Sequence, residues 1–156
     1  LCRSLLSTMV WNALRTPLGC LGDMLCRLRA DDCLQELEFL YPRSQREGGG
    51  QAFVTGFMDL VFRWRGKIYL LDWKTNVLPA YDRPSMELAM REAGYHMQYE
   101  LYWEALQRWL NVQRAGGGMS LGGVIYVFLR GLSGADDASG VYFVPANEIG
   151  KVSRDG

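Results

Sequence analysis

Apolar and polar positions alternate along this chain with two different periods. Residues 1–15 carry Leu5, Leu6, Met9, Val10 and Leu14 at helical spacing, and residues 20–34 repeat that spacing after a break near Pro17 and Gly19. Glu36–Tyr41 alternates polar with apolar and stops at Pro42, which predicts a short strand. The glycine-rich stretch from Gln45 to Gln51 predicts a loop. Residues 52–64 and 67–75 are rich in aromatic and β-branched residues and predict two strands, with Arg65-Gly66 as a tight turn between them. A connection with two prolines, Asn76 to Pro84, leads to helical spacing over Ser85–Ala93. The spacing pauses at Gly94, runs from Tyr95 to Gln113, and ends at Gly116-Gly117-Gly118. Val124–Leu129 has strand length and composition, Gly131–Gly140 is a polar turn, and Val141–Val144 is a partner strand. Helix, three strands, helix and two strands together predict an α/β fold with helices packed on a mixed sheet.

The chain has 156 residues, which suits one domain. With 49% apolar and 22% charged residues it has an ordinary globular composition. Seventeen basic residues balance 17 acidic ones, which argues against a protein that coats a polyanion and leaves room for a local basic groove. No apolar run approaches a membrane span and no secretory leader pattern opens the chain, so the expectation is a cytoplasmic protein. Cys2, Cys20, Cys26 and Cys33 contain no C-x-x-C pair, and the only histidine is His96. Idle or buried thiols are therefore expected, in place of a zinc site or disulfides. The chain opens at Leu1 with a helical pattern already under way, which suggests a piece of a longer polypeptide.

The hairpin brings the candidate chemistry together. If Arg65 and Gly66 are its two turn residues, Trp64 faces Lys67, and counting outward puts Asp59 opposite Asp72. Their Cβ atoms are then roughly 5 Å apart. The expected face of the first strand carries Phe57, Asp59 and Val61, and that of the second carries Ile68, Leu70, Asp72 and Lys74. Met58, Leu60 and Phe62 are expected on the opposite face. Two like charges directly opposed among apolar residues are costly, so something must compensate. A shared proton is one option and a divalent cation such as magnesium is the other. Lys74 favours the cation: it lies on the same face as Asp72, about 7 Å further along, where an ammonium can steady a water or a phosphate. The plainer alternative is a buried Asp–Lys salt bridge with Asp59 at a strand end. Gln98 and Tyr102, four residues apart, share a helix face that Ala105 and Trp109 continue.

Three motifs, in order, resemble a known family: Gly56-Phe57-Met58-Asp59, then Asp72-Trp73-Lys74-Thr75-Asn76, then Gln98-Tyr99-Glu100-Leu101-Tyr102. They are similar to those of RecB-type nucleases, in the PD-(D/E)XK, restriction-endonuclease-like superfamily. Gly122–Gly131 resembles the strand that follows in that family, so the likeness runs from about Glu36 to Asn147. It implies one nuclease domain over 1–156, with residues 1–35 as a helical lead-in and 36–147 as a restriction-endonuclease-like core. Asp59 and Asp72 would be carboxylate ligands of Mg2+, and the Trp73 carbonyl a further ligand. Lys74 would position the attacking water and stabilise the transition state. Gln98 and Tyr102 would orient the site or contact DNA. Glu36 aligns with a functional glutamate, with Glu38 the competing choice. The resemblance also implies a helicase–nuclease acting in double-strand break repair and recombination, with DNA, RecC and RecD as partners.

One departure stands out. These nucleases usually carry a histidine ligand on a helix near the start of the domain, and no histidine here precedes His96. That helix is expected to precede Leu1. Two rivals therefore accompany the nuclease expectation: a catalytically incomplete domain used for DNA or subunit binding, and a standalone nuclease of the same superfamily. Arg63, Arg65 and Lys67 at the hairpin tip, with Arg91, Arg108, Arg114 and Arg130 scattered elsewhere, make no long basic stripe. Weak DNA binding without sequence preference is expected.

Overall fold

The computed structural model describes residues 2–44, 51–113, 119–135 and 138–149. Helix α1 (Cys2–Arg15) is followed by two short paired strands, β1 (Pro17–Leu18) and β2 (Asp23–Met24). Two 3-10 turns, Leu25–Arg27 and Ala30–Asp32, complete the lead-in. The core contains β3 (Cys33–Ser44), β4 (Gln51–Trp64), β5 (Lys67–Lys74), α2 (Arg83–Glu92), α3 (Tyr95–Gln113), β6 (Ser120–Phe128) and β7 (Val141–Pro145). The five core strands form one sheet in the order β3-β4-β5-β6-β7. The β5–β6 pair is parallel and the others are antiparallel. The expected α/β architecture, a mixed sheet flanked by helices, is borne out.

Two apolar clusters hold the layers. One packs α2 and α3 residues (Met86, Met90, Tyr99, Leu106) against Leu70, Val124, Tyr126 and Tyr142. The other packs Ala13, Leu18, Leu21 and Leu25 of the lead-in against Phe62, Leu71, Ile125 and Val127. β5 and β6 are thus covered on both sides, which explains their near-continuous apolar sequences.

The helix expected over residues 20–34 is absent. Leu18, Leu21 and Leu25 keep helix-like spacing, and all three are buried. Gly22, at φ +64, turns the chain back instead, so short turns deliver the same side chains. β3 is also longer than expected and runs through Pro42. An edge strand tolerates a residue without an N–H, and β3 is the edge of the sheet. The expected loop at Gln45–Gln51 lies largely outside the described residues, although Gln51 opens β4. Gly116–Gly118 lies outside them as well.

Candidate active site

The β4–β5 hairpin sets the register of the site. Arg65 and Gly66 both have positive φ (48° and 76°), as a two-residue hairpin turn of this twist requires. The ladder pairs Trp64 with Lys67 and continues to Leu60 opposite Leu71, as expected. It stops there. One step further, where Asp59 would meet Asp72, the Asp59 carboxylate accepts the Trp73 backbone N–H at 2.8 Å. A side-chain oxygen thus takes over from a strand carbonyl.

The neighbouring pair, β3–β4, is also interrupted at this row. Its ladder pairs Gln35 with Leu60 and Leu37 with Met58, bracketing Glu36 and Asp59. Glu36 has φ +49, a conformation uncommon for a side chain of this kind. The faces exchange here. Cys33, Leu60 and Phe62 pack with the lead-in, whereas Leu37, Phe39 and Met58 pack with the helices. Met58 and Leu60 therefore lie on opposite faces, which corrects the expectation that they share one. Strict alternation assumes an unbroken ladder, and the left-handed residue shifts its phase.

Glu36 and Asp59 occupy the interrupted row of the β3–β4 ladder, and Asp59 reaches β5 at Trp73, next to Asp72. Glu38 faces Phe57 and stands outside that row. Glu36 is nevertheless exposed, and among the described residues no three His, Cys, Asp or Glu side chains converge closely enough to hold a metal ion. Asp59 is half-buried and Asp72 is buried.

Lys74 is buried beside Asp72, its Nζ 2.6 Å from Asp72 Oδ2. The salt bridge weighed as the plainer alternative is therefore present. Burial pushes the Asp72 carboxyl above the usual carboxylate range; Lys74 pulls it back, and the nearby Asp59 pushes it up.

Helix α3 supplies the next layer, with Gln98 and Tyr102 on one of its faces. Lys74 Nζ donates to Gln98 Oε1 at 2.9 Å, and Gln98 Nε2 donates to the Tyr102 hydroxyl at 2.9 Å. The Tyr126 hydroxyl also donates to Gln98 Oε1, at 3.3 Å. Both ends of one amide are thus committed, which fixes its orientation. Burial raises the Tyr102 phenol above its ordinary value; Gln98 lowers it, and Asp72 and Asp59 raise it further. Asp59, Asp72, Trp73, Lys74, Gln98 and Tyr102 therefore form one neighbourhood, and Glu36 stands at its exposed edge.

Sequence reasoning missed two members. The ammonium of Lys74 lies 3.9 Å from the centre of the Tyr95 ring and 5.1 Å from that of Tyr126. Tyr95 precedes Gln98 by three residues on one helix face, a signal that the spacing carried. Tyr126 pairs with Asp72 only through the parallel β5–β6 register, which no local pattern shows.

Several of the arginines named above are engaged. Arg63 pairs with Asp32 at 2.6 Å and Arg108 with Glu104 at 2.8 Å. Arg130, exposed, donates to the carbonyl of Thr75, next to Lys74, at 3.0 Å. Arg114 lies outside the described residues. His96 is away from the acids, with Nε2 3.3 Å from Glu87 and Nδ1 3.2 Å from the Tyr99 hydroxyl. Cys20, Cys26 and Cys33 are free thiols, and burial pushes the Cys20 thiol up to about 11. Among the described residues no helix is long and apolar enough to cross a membrane.

No family model matches the chain. It is similar to the RecBCD enzyme subunit RecB of Escherichia coli, at 33% identity over 172 residues, covering 91% of this chain and 15% of that protein. The subunit of the same name from Haemophilus influenzae is 39% identical over 105 residues, covering 64% of this chain and 9% of that protein. The one from Mycolicibacterium smegmatis is 34% identical over 96 residues, covering 54% and 9%. The chain thus spans less than a sixth of the length of the relatives it matches. The resemblance read from the three motifs is borne out: the chain is similar to one segment of a much longer RecB subunit.

Proposed function

We propose that the chain is a magnesium-dependent DNA-cleaving domain of a RecBCD-type helicase–nuclease. It would act in the cytoplasm, in double-strand break repair and recombination, with DNA as substrate and RecC- and RecD-type subunits as partners. The observation that carries this reading is the meeting of two carboxylates and a lysine where the β4–β5 ladder stops. Asp59 approaches β5 closely enough to accept the Trp73 N–H, Asp72 is buried, and Lys74 is beside it.

The donor set suits magnesium. Asp59 and Asp72, with the Trp73 carbonyl, are hard oxygen donors, and this ion takes one or two carboxylates while keeping several waters. An added positive charge also offsets the repulsion between the two acids, which helps raise the Asp72 carboxyl. When bound, the ion would supply Lewis-acid stabilisation of the phosphoryl oxygens and a more acidic water.

The chain's own residues do the remaining work. The Trp73 N–H fixes one oxygen of Asp59. Lys74 holds the attacking water or steadies charge gathering on the phosphate. Gln98 aims the ammonium, and Tyr102 anchors Gln98. Arg130, exposed beside Thr75, would use its remaining donors on a DNA phosphate.

Digestion of linear DNA with magnesium, comparing the parent with Asp72→Ala and Lys74→Ala, tests the proposal. Magnesium-dependent cleavage that both variants lose supports it. Equal cleavage by parent and Asp72→Ala refutes the site.

One observation favours a second reading, a domain that binds DNA or subunits without cutting. Among the described residues no third acid or histidine joins the pair. DNA binding unchanged by magnesium, without cleavage even in a full-length subunit, would favour it.

A further inference from the structure

We propose that Tyr95 is a positioning residue for Lys74, holding the ammonium through the face of its ring while its hydroxyl ties the ring to the end of the motif that carries the lysine. This inference rests on the nuclease reading only for its catalytic consequence. The geometry comes from four contacts. The Lys74 ammonium lies 3.9 Å from the Tyr95 ring centre, a short cation–π distance. The Tyr95 hydroxyl donates to Asn76 Oδ1 at 3.2 Å, two residues beyond Lys74. The ring stacks on that of Tyr126, with centroids 5.9 Å apart and planes at 17°. The Tyr95 carbonyl, at 3.3 Å, shares with Gln98 Oε1 the single proton of the Tyr126 hydroxyl. Tyr126 thus meets both ring and backbone, and Asn76 holds the hydroxyl.

Position in the chain strengthens the case. Tyr95 is the first residue of α3, directly after Gly94 at φ +68. It joins the start of that helix to the loop leaving β5. An ammonium has three donors. Asp72 and Gln98 are its two polar neighbours here, at 2.6 and 2.9 Å. Asp72 is also the carboxylate proposed to engage a cation. Once it does, Gln98 and the Tyr95 ring, with the Tyr126 ring farther off at 5.1 Å, are left to keep Lys74 in place. The ring face suits this task, because it attracts the charge without consuming an N–H in a strong hydrogen bond.

The test compares Tyr95→Phe, which keeps the ring and loses the hydroxyl, with Tyr95→Leu and Tyr95→Met, which lose the ring. The first readout is the Lys74 ammonium cross-peak in 15N-edited NMR spectra of this chain, which is visible only when the ammonium is ordered and slow to exchange. It is expected in the parent and Tyr95→Phe and lost in the Leu and Met variants. The second is cleavage, in whichever form, chain or full-length subunit, loses turnover on Lys74→Ala. There kcat is expected to fall about tenfold in Leu and Met with KM within about twofold, and to stay within about threefold of the parent in Phe. A cross-peak kept in folded Leu and Met variants overturns the proposal, as does a loss in Phe equal to that in Leu. If Lys74→Ala cuts like the parent in both forms, the nuclease reading fails, and the NMR comparison still decides whether Tyr95 holds Lys74.

Discussion

The two halves of the β4–β5 hairpin are built on different rules. Toward the turn, from Leu60–Leu71 to Trp64–Lys67, the ladder is continuous. Phe62, Leu70 and Leu71 in this half are almost completely buried. Beyond Leu60 the ladder stops, Asp59 takes the Trp73 N–H, and Asp72 and Lys74 share the helix-facing side with Gln98 and Tyr126. The first half meets its hydrogen bonds by regular pairing. The second meets them with side chains. The regular half fixes a register, and the open half uses it to bring together groups that a sheet would otherwise keep apart.

Breaking the charge pair in the open half should have the largest effect. Asp72→Asn or Lys74→Ala removes one member of a buried pair, which costs about 3 kcal/mol by urea denaturation, and each is expected to lower cleavage by at least about 100-fold. The double variant Asp72→Asn/Lys74→Met should recover most of the stability and none of the activity. Independent, additive losses would show that the two side chains do not act as a pair.

Asp59→Asn separates chemistry from folding. Its amide oxygen still accepts the Trp73 N–H, so stability should stay within about 1 kcal/mol of the parent, while cleavage falls about 100-fold or more. A large loss of stability would assign Asp59 a structural role.

The regular half responds in the opposite sense. A Cβ at Gly66 meets no atom within 4 Å, so Gly66→Ala is penalised only for φ +76. The expected cost is about 1 kcal/mol in denaturant with cleavage unchanged.

Acid stability offers a smaller contrast away from the site. Burial pushes Glu104 up, but hydrogen bonds from Arg108 and Tyr41, with Arg43 nearby, outweigh it and hold the carboxyl below its ordinary value. Its stabilisation is present above the unfolded carboxylate pKa and is lost as pH falls through the lowered one. Glu104→Gln should therefore flatten the acid side of a stability–pH curve by a few tenths of a kcal/mol. An unchanged slope would remove Glu104 from that account.

Much of the fold was legible because its signals are local. Arg65-Gly66 fixed a register that the structure follows to Leu60–Leu71, and Gly94 marked the break between α2 and α3. Gln98 and Tyr102 could be placed together from their helix spacing, and they hydrogen-bond as that spacing suggests. The failures arise where a long-range constraint overrides a local one. Leu18, Leu21 and Leu25 reach the core from turns, because they need burial under the sheet and no particular backbone. The phase change at Glu36 and Asp59 depends on a left-handed residue that no composition rule announces. The closeness of Tyr126 to Lys74 follows from strand order and appears only once β6 lies beside β5.

The most direct test is a calorimetric titration of magnesium into the parent, Asp59→Asn, Asp72→Asn and Lys74→Ala. The account predicts one site in the parent, lost in both Asp-to-Asn variants and kept in Lys74→Ala. Equal magnesium binding by the parent and both Asn variants would contradict it.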